Sequence, residues 1–363
     1  MKIGIITLTG YFNYGNRLQN YASQEVLKSL GYEVETIPVW TEISTKQRVK
    51  ENLLRNVSKL YVKQNKFKIK KLNHYVKQTK FYDFTKIYIK QSKYKISKNS
   101  INQNINKEYD FFITGSDQVW NPYFIKFPEI YFLQFAEKNK RISYSASFGI
   151  SHIPSEYISQ YKKLIGEMKS ISVREDAGAS IVKELTDKEA IVLVDPTMML
   201  SKSQWLKIAK KPQMINGDYL LTYFLGNLEE HRMKEIQKIA KKNNLKIINM
   251  LDINDVNIFD LGPSEFVWLI NNANLMCTDS FHGVVFSLLM HTPFVVFDRI
   301  DSLQSMNSRL ETLLSKFNMD TRKDSFIFNH PENIFNVDFS EVESILDHER
   351  IRAIKYLKDA FRK

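Results

Sequence analysis

The sequence predicts an α/β protein made of two halves, each with its own parallel sheet. Short apolar runs alternate with segments of helical spacing through most of the 363 residues. That is the pattern of strand–helix–strand units. The series breaks near residues 210–217 and then restarts. One unit reads complete. An apolar run at 274–276 meets the polar turn Cys277-Thr278-Asp279-Ser280-Phe281-His282-Gly283. An apolar helix at 284–290 follows, then Thr292-Pro293 and a last apolar run at 294–297.

The first half opens with a strand at 3–8 and a polar, glycine-bearing loop at 9–16. Helical spacing at 18–30 predicts a helix stopped by Gly31. A strand at 33–39 precedes a basic insert at 46–107. Further strands are expected at 111–114, 142–147 and 170–173. Arg174-Glu175-Asp176 leads into a helix at 177–185, and a strand at 191–194 runs into Asp195-Pro196-Thr197. The second half reads as strand 219–225, helix 229–242, strand 245–250 and a helix from Pro263 to Asn272. Proline suits a first helical position. The expected division is 1–212 for the first half, 213–335 for the second, and 336–363 as a helix packing back on the first.

Polar residues gather at the predicted strand ends. Asn16, Gly115, Ser116, Asp117, Gly149 and Arg174 follow apolar strands of the first half. In a doubly wound sheet such ends face one crevice. In the second half, the turn at 277–283 sits where free amides and the helix dipole favour an anion. Gly283 is expected to let an anion approach the backbone. Ser280 is expected to cap the helix or donate to a phosphate oxygen. His282 is a group able to move protons near neutral pH. A plain N-cap and a bystander histidine are the competing reading. If both sets of ends meet, they form a cleft between the halves.

Composition narrows the class. The chain is 43% hydrophobic, enough for sizeable cores. It has no apolar run long enough to cross a bilayer, and its opening residues do not read as a signal peptide. Cys277 is its only cysteine, which excludes an intrachain disulfide or a cysteine metal cluster. The seven histidines lack metal-ligand spacing, so no metal is expected. A cytoplasmic location follows as an expectation. The net charge of +12 is unevenly placed. Residues 46–107 hold 18 Lys or Arg against two acids, more than the whole excess. Aromatics such as Tyr75, Phe81, Phe84 and Tyr88 lie between the charges. A solvated helical face and a patch for an anionic membrane surface both fit. Nucleic acid is not an expected partner, because no nucleic-acid-binding motif accompanies the charge.

Taken together, several segments resemble the polysaccharide pyruvyl transferase family. They are Tyr14-Gly15-Asn16 with Leu18-Gln19, the run from Asp110 through Gly115-Ser116-Asp117 to Pro122, and Ser172-Val173-Arg174-Glu175. Val194-Asp195-Pro196-Thr197 and Thr278-Asp279-Ser280-Phe281-His282-Gly283 complete the set. They fall in order between about residues 2 and 309. The resemblance implies two Rossmann-like domains facing a cleft, the GT-B-like arrangement. It also implies transfer of pyruvate from phosphoenolpyruvate to a sugar of a cell-surface polysaccharide or its lipid-linked precursor, forming a ketal. Phosphoenolpyruvate is then a donor substrate and no cofactor is needed. A glycan or lipid-linked glycan is the acceptor, and attachment at the inner face of the membrane is an expectation. His282 and Arg174 match the family's essential histidine and arginine. Arg299 and Arg309 are both candidates for a further donor-binding arginine. Asp117 is a candidate base for the sugar hydroxyl or a structural turn residue. Two alternatives stay open: a glycosyltransferase using a nucleotide sugar, and a non-catalytic glycan-binding protein. The absence of an acid in 284–290 speaks against a ribose-binding site there.

Overall fold

The computed structural model describes residues 1–10, 13–40, 70–101, 104–213, 215–252, 255, 258, 261–299 and 307–362. The first part of the basic insert, residues 46–69 with Lys66 and Lys68, lies outside the described residues.

Two parallel sheets form the frame. The first contains β1 (Lys2–Ile6), β2 (Glu33–Thr36), β3 (Phe111–Thr114) and β4 (Arg141–Ser143), in the order β2-β1-β3-β4. Bridges from Ile142 to Ser170 and from Ala146 to Val173 bring β5 (Ser172–Val173) beside it, and β6 (Ile191–Val192) pairs with β5. The second contains β7 (Tyr219–Tyr223), β8 (Lys246–Asn249), β9 (Leu275–Thr278) and β10 (Phe294–Val296), in the order β10-β9-β7-β8. Both sheets therefore share one plan. The first strand lies between the second and third, so the order reverses between β1 and β3 and between β7 and β9. Ligands of open α/β sheets bind at such reversals. Strands β3 and β9 are buried along their whole length, as central parallel strands covered on both faces must be.

The longer helices, numbered in chain order, are α1 (Tyr14–Ser29), α2 (Lys70–Tyr88), α3 (Ile158–Gly166), α4 (Asp176–Thr186), α5 (Glu230–Lys242), α6 (Pro263–Asn272), α7 (Phe281–Met290), α8 (Ser308–Lys316) and α9 (Val342–Ala360). One apolar core runs between the sheets and takes side chains from both halves, while two smaller clusters cover the outer faces. Tyr14 of α1 stacks on Phe266 of α6 at 4.7 Å, and Phe81 of α2 lies 5.1 Å from the same ring. Helix α2 thus sits across the junction of the halves. Helix α9 crosses back to the first sheet, where Tyr356 donates to the Ser143 carbonyl at 2.7 Å. Beyond it, Phe361 packs on Tyr32 and Phe111.

Several expected boundaries shift for physical reasons. Helix α1 begins at Tyr14, four residues before the expected start, because Asn13 caps it by accepting from the Asn16 amide at 3.3 Å. Asn16 is therefore a first-turn helical residue and not a loop residue. Strand β4 stops at Ser143, because Ser145 adopts a left-handed backbone with φ of 51°. Strand β9 runs on to Thr278, and α7 starts at Phe281, so the polar turn shrinks to Asp279 and Ser280. Several described aromatics of the insert hold α2 against the core. Phe81 and Phe84 are buried in the core, and Tyr88 stacks with Phe84 and Tyr21. These rings pack the helix down.

Candidate active site

The four strand ends at the two reversals converge. The turn after β3 carries Gly115, Ser116 and Asp117. Gly115 has φ of 116°, and a Cβ there would lie 2.3 Å from the Tyr144 carbonyl oxygen, so only glycine fits. Gln19 of α1 ties the first reversal together. Its amide donates to Thr7 at 2.7 Å and accepts from the Ser116 amide at 3.1 Å. In the second half, Asp279 binds the turn after β7. Its carboxylate accepts from the Leu225 and Gly226 amides, each at 2.7 Å.

Across this junction His282 meets α1. A Cβ on Gly15 would lie 2.0 Å from His282 Nδ1, so the glycine is what lets the first turn of α1 touch the ring. On its other side, His282 Nε2 lies 3.6 Å from Asp195 Oδ2. Asp195 is fully buried and accepts from Ser116 Oγ at 2.6 Å, Arg174 Nη1 at 2.8 Å and Thr197 Oγ1 at 2.7 Å. Burial alone would raise its pKa. His282, Arg174 and Ser116 outweigh that and hold the carboxyl well below the usual range. Burial likewise opposes the charge of Arg174, but Asp195, Asp117 and Glu175 hold its pKa above the ordinary value. The Arg174 guanidinium also lies 4.1 Å from the centre of the Phe281 ring.

Arg309 joins from α8. With the Gln118 amide turned so that its oxygen faces the guanidinium, Gln118 accepts from Arg309 at 2.7 and 2.9 Å. Burial comes first, then repulsion from Arg174 and Arg299, in pulling the Arg309 pKa down. Arg299 lies on the same side but contacts Asp279, with Nε 3.3 Å from Oδ2. The three arginines and His282 neighbour four carboxylates, so charge count alone does not define an anion site. What matters is how each group is used. Glu175 Oε1 already accepts from Ser147 and from the Phe148 and Gly149 amides, and Asp279 is taken by backbone. By contrast, Arg174 Nε and Nη2, Arg309 Nε and His282 Nε2 are buried with no hydrogen-bond partner among the described residues, as is Glu175 Oε2, although Arg174 Nη2 and His282 Nε2 keep longer ion contacts with Asp117 and Asp195. Buried donors left unpaired are costly, and an anion with several oxygens satisfies them together.

Two expectations change here, and Ser280 takes the first of its two readings. Ser116 does not face a ligand, because its hydroxyl holds Asp195. Gly283 does not open the backbone to an anion. A Cβ there would lie 2.6 Å from Thr278 Oγ1, so it serves close packing of α7 on β9. Ser280 acts as the N-cap, accepting from the Gly283 amide at 3.4 Å. Asp117 accepts from the Gln118 amide at 2.9 Å and lies 3.5 Å from Arg174 Nη2, so it is at once turn residue and ion-pair partner. Asn16 stands at the rim, 7% exposed, with its Oδ1 lacking a hydrogen-bond partner among the described residues. Asp195, Glu175, Gln118 and Asp279 were not singled out from sequence. All four lie in the segments that carry the family resemblance, and a carboxylate or amide at a strand end was the signal for them. His282 and Arg174 are only 5% and 3% exposed, so the cleft is nearly closed. The space beside Arg174, Asp195 and Phe281 is about 10 Å³, room for about one water molecule.

The fold and this junction define a two-Rossmann protein with the GT-B arrangement. The profile of the family described as polysaccharide pyruvyl transferase matches residues 13–302, and the chain belongs to that family. No curated protein matches the chain. Among solved structures, UDP-GlcNAc 2-epimerase from Methanocaldococcus jannaschii is similar with a TM-score of 0.54 and 14% identity, over 98% of this chain and 100% of that one. A putative UDP-N-acetylglucosamine 2-epimerase from Listeria monocytogenes has a TM-score of 0.55 and 8% identity, over 99% and 96%. At these identities the likeness concerns the fold.

Proposed function

We propose that this chain transfers pyruvate from phosphoenolpyruvate to a glycan or lipid-linked glycan, forming a ketal across two sugar hydroxyls. The observation that carries this reading is the set of buried nitrogens on Arg174, Arg309 and His282 that make no hydrogen bond among the described residues, two of them held only in longer ion contacts with Asp117 and Asp195. Phosphoenolpyruvate brings a phosphate and a carboxylate, about three negative charges that planar guanidinium groups match well. Arg174 and Arg309 bind these groups and stabilise charge as it shifts to the leaving phosphate. Arg299 steadies the turn at Asp279. The C3 carbon of the donor takes a proton and C2 becomes electrophilic. One sugar hydroxyl adds at C2, phosphate leaves, and the second hydroxyl closes the ketal. Of the two hydroxyl protons released, one balances the proton taken up at C3 and one leaves with phosphate. His282 supplies a proton, at C3 or to the phosphate, and Asp195 orients its ring. Asp117 is the candidate base for the sugar hydroxyl. The donor is larger than the space beside Arg174, so the halves or their side chains must part to admit it.

Melting the protein with ligands tests the donor. Phosphoenolpyruvate or inorganic phosphate should raise the melting temperature, and UDP- or GDP-sugars should do little. Stronger stabilisation by a nucleotide sugar would favour a glycosyltransferase, the reading that the fold of the epimerases keeps in play. Mass spectrometry of an acceptor glycan should then show the gain of one pyruvyl unit less water.

A cytoplasmic location with peripheral attachment to the membrane is part of the same proposal. Among the described residues no helix is long and apolar enough to cross a membrane. The charge of the insert is what supports attachment, since each basic residue near an anionic surface contributes about 1 kcal/mol. Co-sedimentation with anionic vesicles should fall with salt and weaken when Lys66, Lys68, Lys70 and Lys71 become Glu. Protein that stays in the supernatant at low salt would remove the membrane from the proposal.

A further inference from the structure

A second cavity, of about 890 Å³, lies outside the arginine cluster. It is within the size range of ligand pockets. Residues 122–130, which follow the Asp117 turn, form one wall, and Lys98 and Ile101 of the basic insert form part of another. Six rings line it: Tyr123, Phe124, Phe127, Phe135, Tyr157 and Tyr161. Tyr123 and Phe124 are 41% and 50% exposed, which is unusual for neighbouring large rings that no core needs.

Aromatic walls alone would also suit an aliphatic chain, but polar groups are set among them. Tyr161 is 1% exposed, and its hydroxyl has no hydrogen-bond partner among the described residues. That hydroxyl lies just behind the cavity wall, and a sugar that draws it forward returns a hydrogen bond that a hydrocarbon cannot. Gln160 and Glu129, joined at 2.8 Å, add an amide and a carboxylate to the lining. Lys98 and Lys126 lie over the Phe127 ring at 5.2 and 5.7 Å and leave ammonium groups at the edge. Flat apolar faces bordered by hydrogen-bonding groups are what a sugar ring offers in return, with C–H faces edged by hydroxyls. Pro122, on the wall, follows Asp117 by five residues, a distance of at most about 18 Å along extended chain. One oligosaccharide can span both places.

We propose that this cavity holds an oligosaccharide stretch of the acceptor next to the sugar that reacts. The proposal rests on pyruvyl transfer for the role of that glycan, but sugar binding can be read without turnover. Saturation-transfer NMR on the full chain would use tetrasaccharides of glucose, mannose, N-acetylglucosamine and galacturonic acid, with anilinonaphthalene sulfonate as the apolar probe. Transfer to the C–H protons of at least one sugar is expected. Tyr123→Ala with Phe124→Ala should weaken that binding about tenfold, while stabilisation by phosphoenolpyruvate stays as in the wild type. Tyr161→Phe, a gentler change that keeps the ring, should weaken it about threefold. No transfer to any of the four sugars, or transfer untouched by these variants, overturns the proposal. So does tight binding of the apolar dye without any sugar signal. Sugar binding that persists while phosphoenolpyruvate has no effect would support the cavity and sink the donor reading.

Discussion

Gly15→Ala tests the contact between the halves with a single methyl group. The new Cβ would lie 2.0 Å from His282 Nδ1, where ordinary contact begins at about 3.4 Å, so the ring must retreat by about 1.4 Å. Two stability effects oppose each other. Alanine is favoured over glycine in a helix by about 1 kcal/mol. Overpacking costs about 1–3 kcal/mol. The net loss is therefore at most about 2 kcal/mol, and the melting temperature should fall by only a few degrees. Chemistry is less tolerant, because a shift of about 1 Å in a reacting group costs on the order of a hundredfold. Turnover, read as pyruvyl gain on an acceptor glycan by mass spectrometry, should drop by about that factor. Gly166→Ala is the control, since a Cβ there meets nothing within 4 Å. Adding His282→Ala to Gly15→Ala should restore the melting temperature, because the clashing ring is gone. A Gly15→Ala variant that turns over within about threefold of the wild type would refute the placement of His282 against α1.

Other outcomes follow from the same geometry. His282→Ala should lower turnover by at least about a hundredfold with little effect on melting. Arg174→Ala should lose as much activity and also about 3–5 kcal/mol of stability, because it strands the buried Asp195; chemical denaturation checks both. The folded-state pKa of Asp195 lies below its unfolded value, so its contribution to stability is complete above about pH 4 and is lost as pH falls below that. Asp195→Asn should therefore flatten the acid limb of stability measured by calorimetry, and an unchanged limb would exclude Asp195 as its source. Tyr356→Phe removes one buried hydrogen bond and should cost about 0.5–1.5 kcal/mol without altering stabilisation by phosphoenolpyruvate.

The alternation of strands and helices was legible because its period is written in the apolar residues. Phe111–Thr114 and Pro263–Asn272 fall where the pattern put them. The ends of elements were less legible, because caps and backbone twists decide them. Asn13 capping α1 and the left-handed Ser145 depend on local geometry that apolar spacing does not record. The structure brings His282, Arg174 and Asp117 together at one junction, and it places Arg309 with Gln118 and Arg299 with Asp279. What sequence could not supply was which atoms would already be in use. Ser116 and Gly283 look like ligand contacts in a polar turn, yet one holds Asp195 and the other packs on Thr278. Asp195 shows the converse. It reads as a turn residue before Pro196, and its place at the centre depends on β3, β5 and α7 arriving from distant parts of the chain.

The return of α9 to the first sheet sets an order for how this protein is made. Tyr356 and Phe361 complete contacts with Ser143, Tyr32 and Phe111, all synthesised long before them. The core between the sheets also draws on both halves and on α9. A nascent chain that has finished the first sheet therefore carries an apolar face with nothing yet to cover it. Domains commonly fold as units in the order they leave the ribosome. Here the contacts that close the first half come from the second half and from α9, so its core is complete only once that helix has been made.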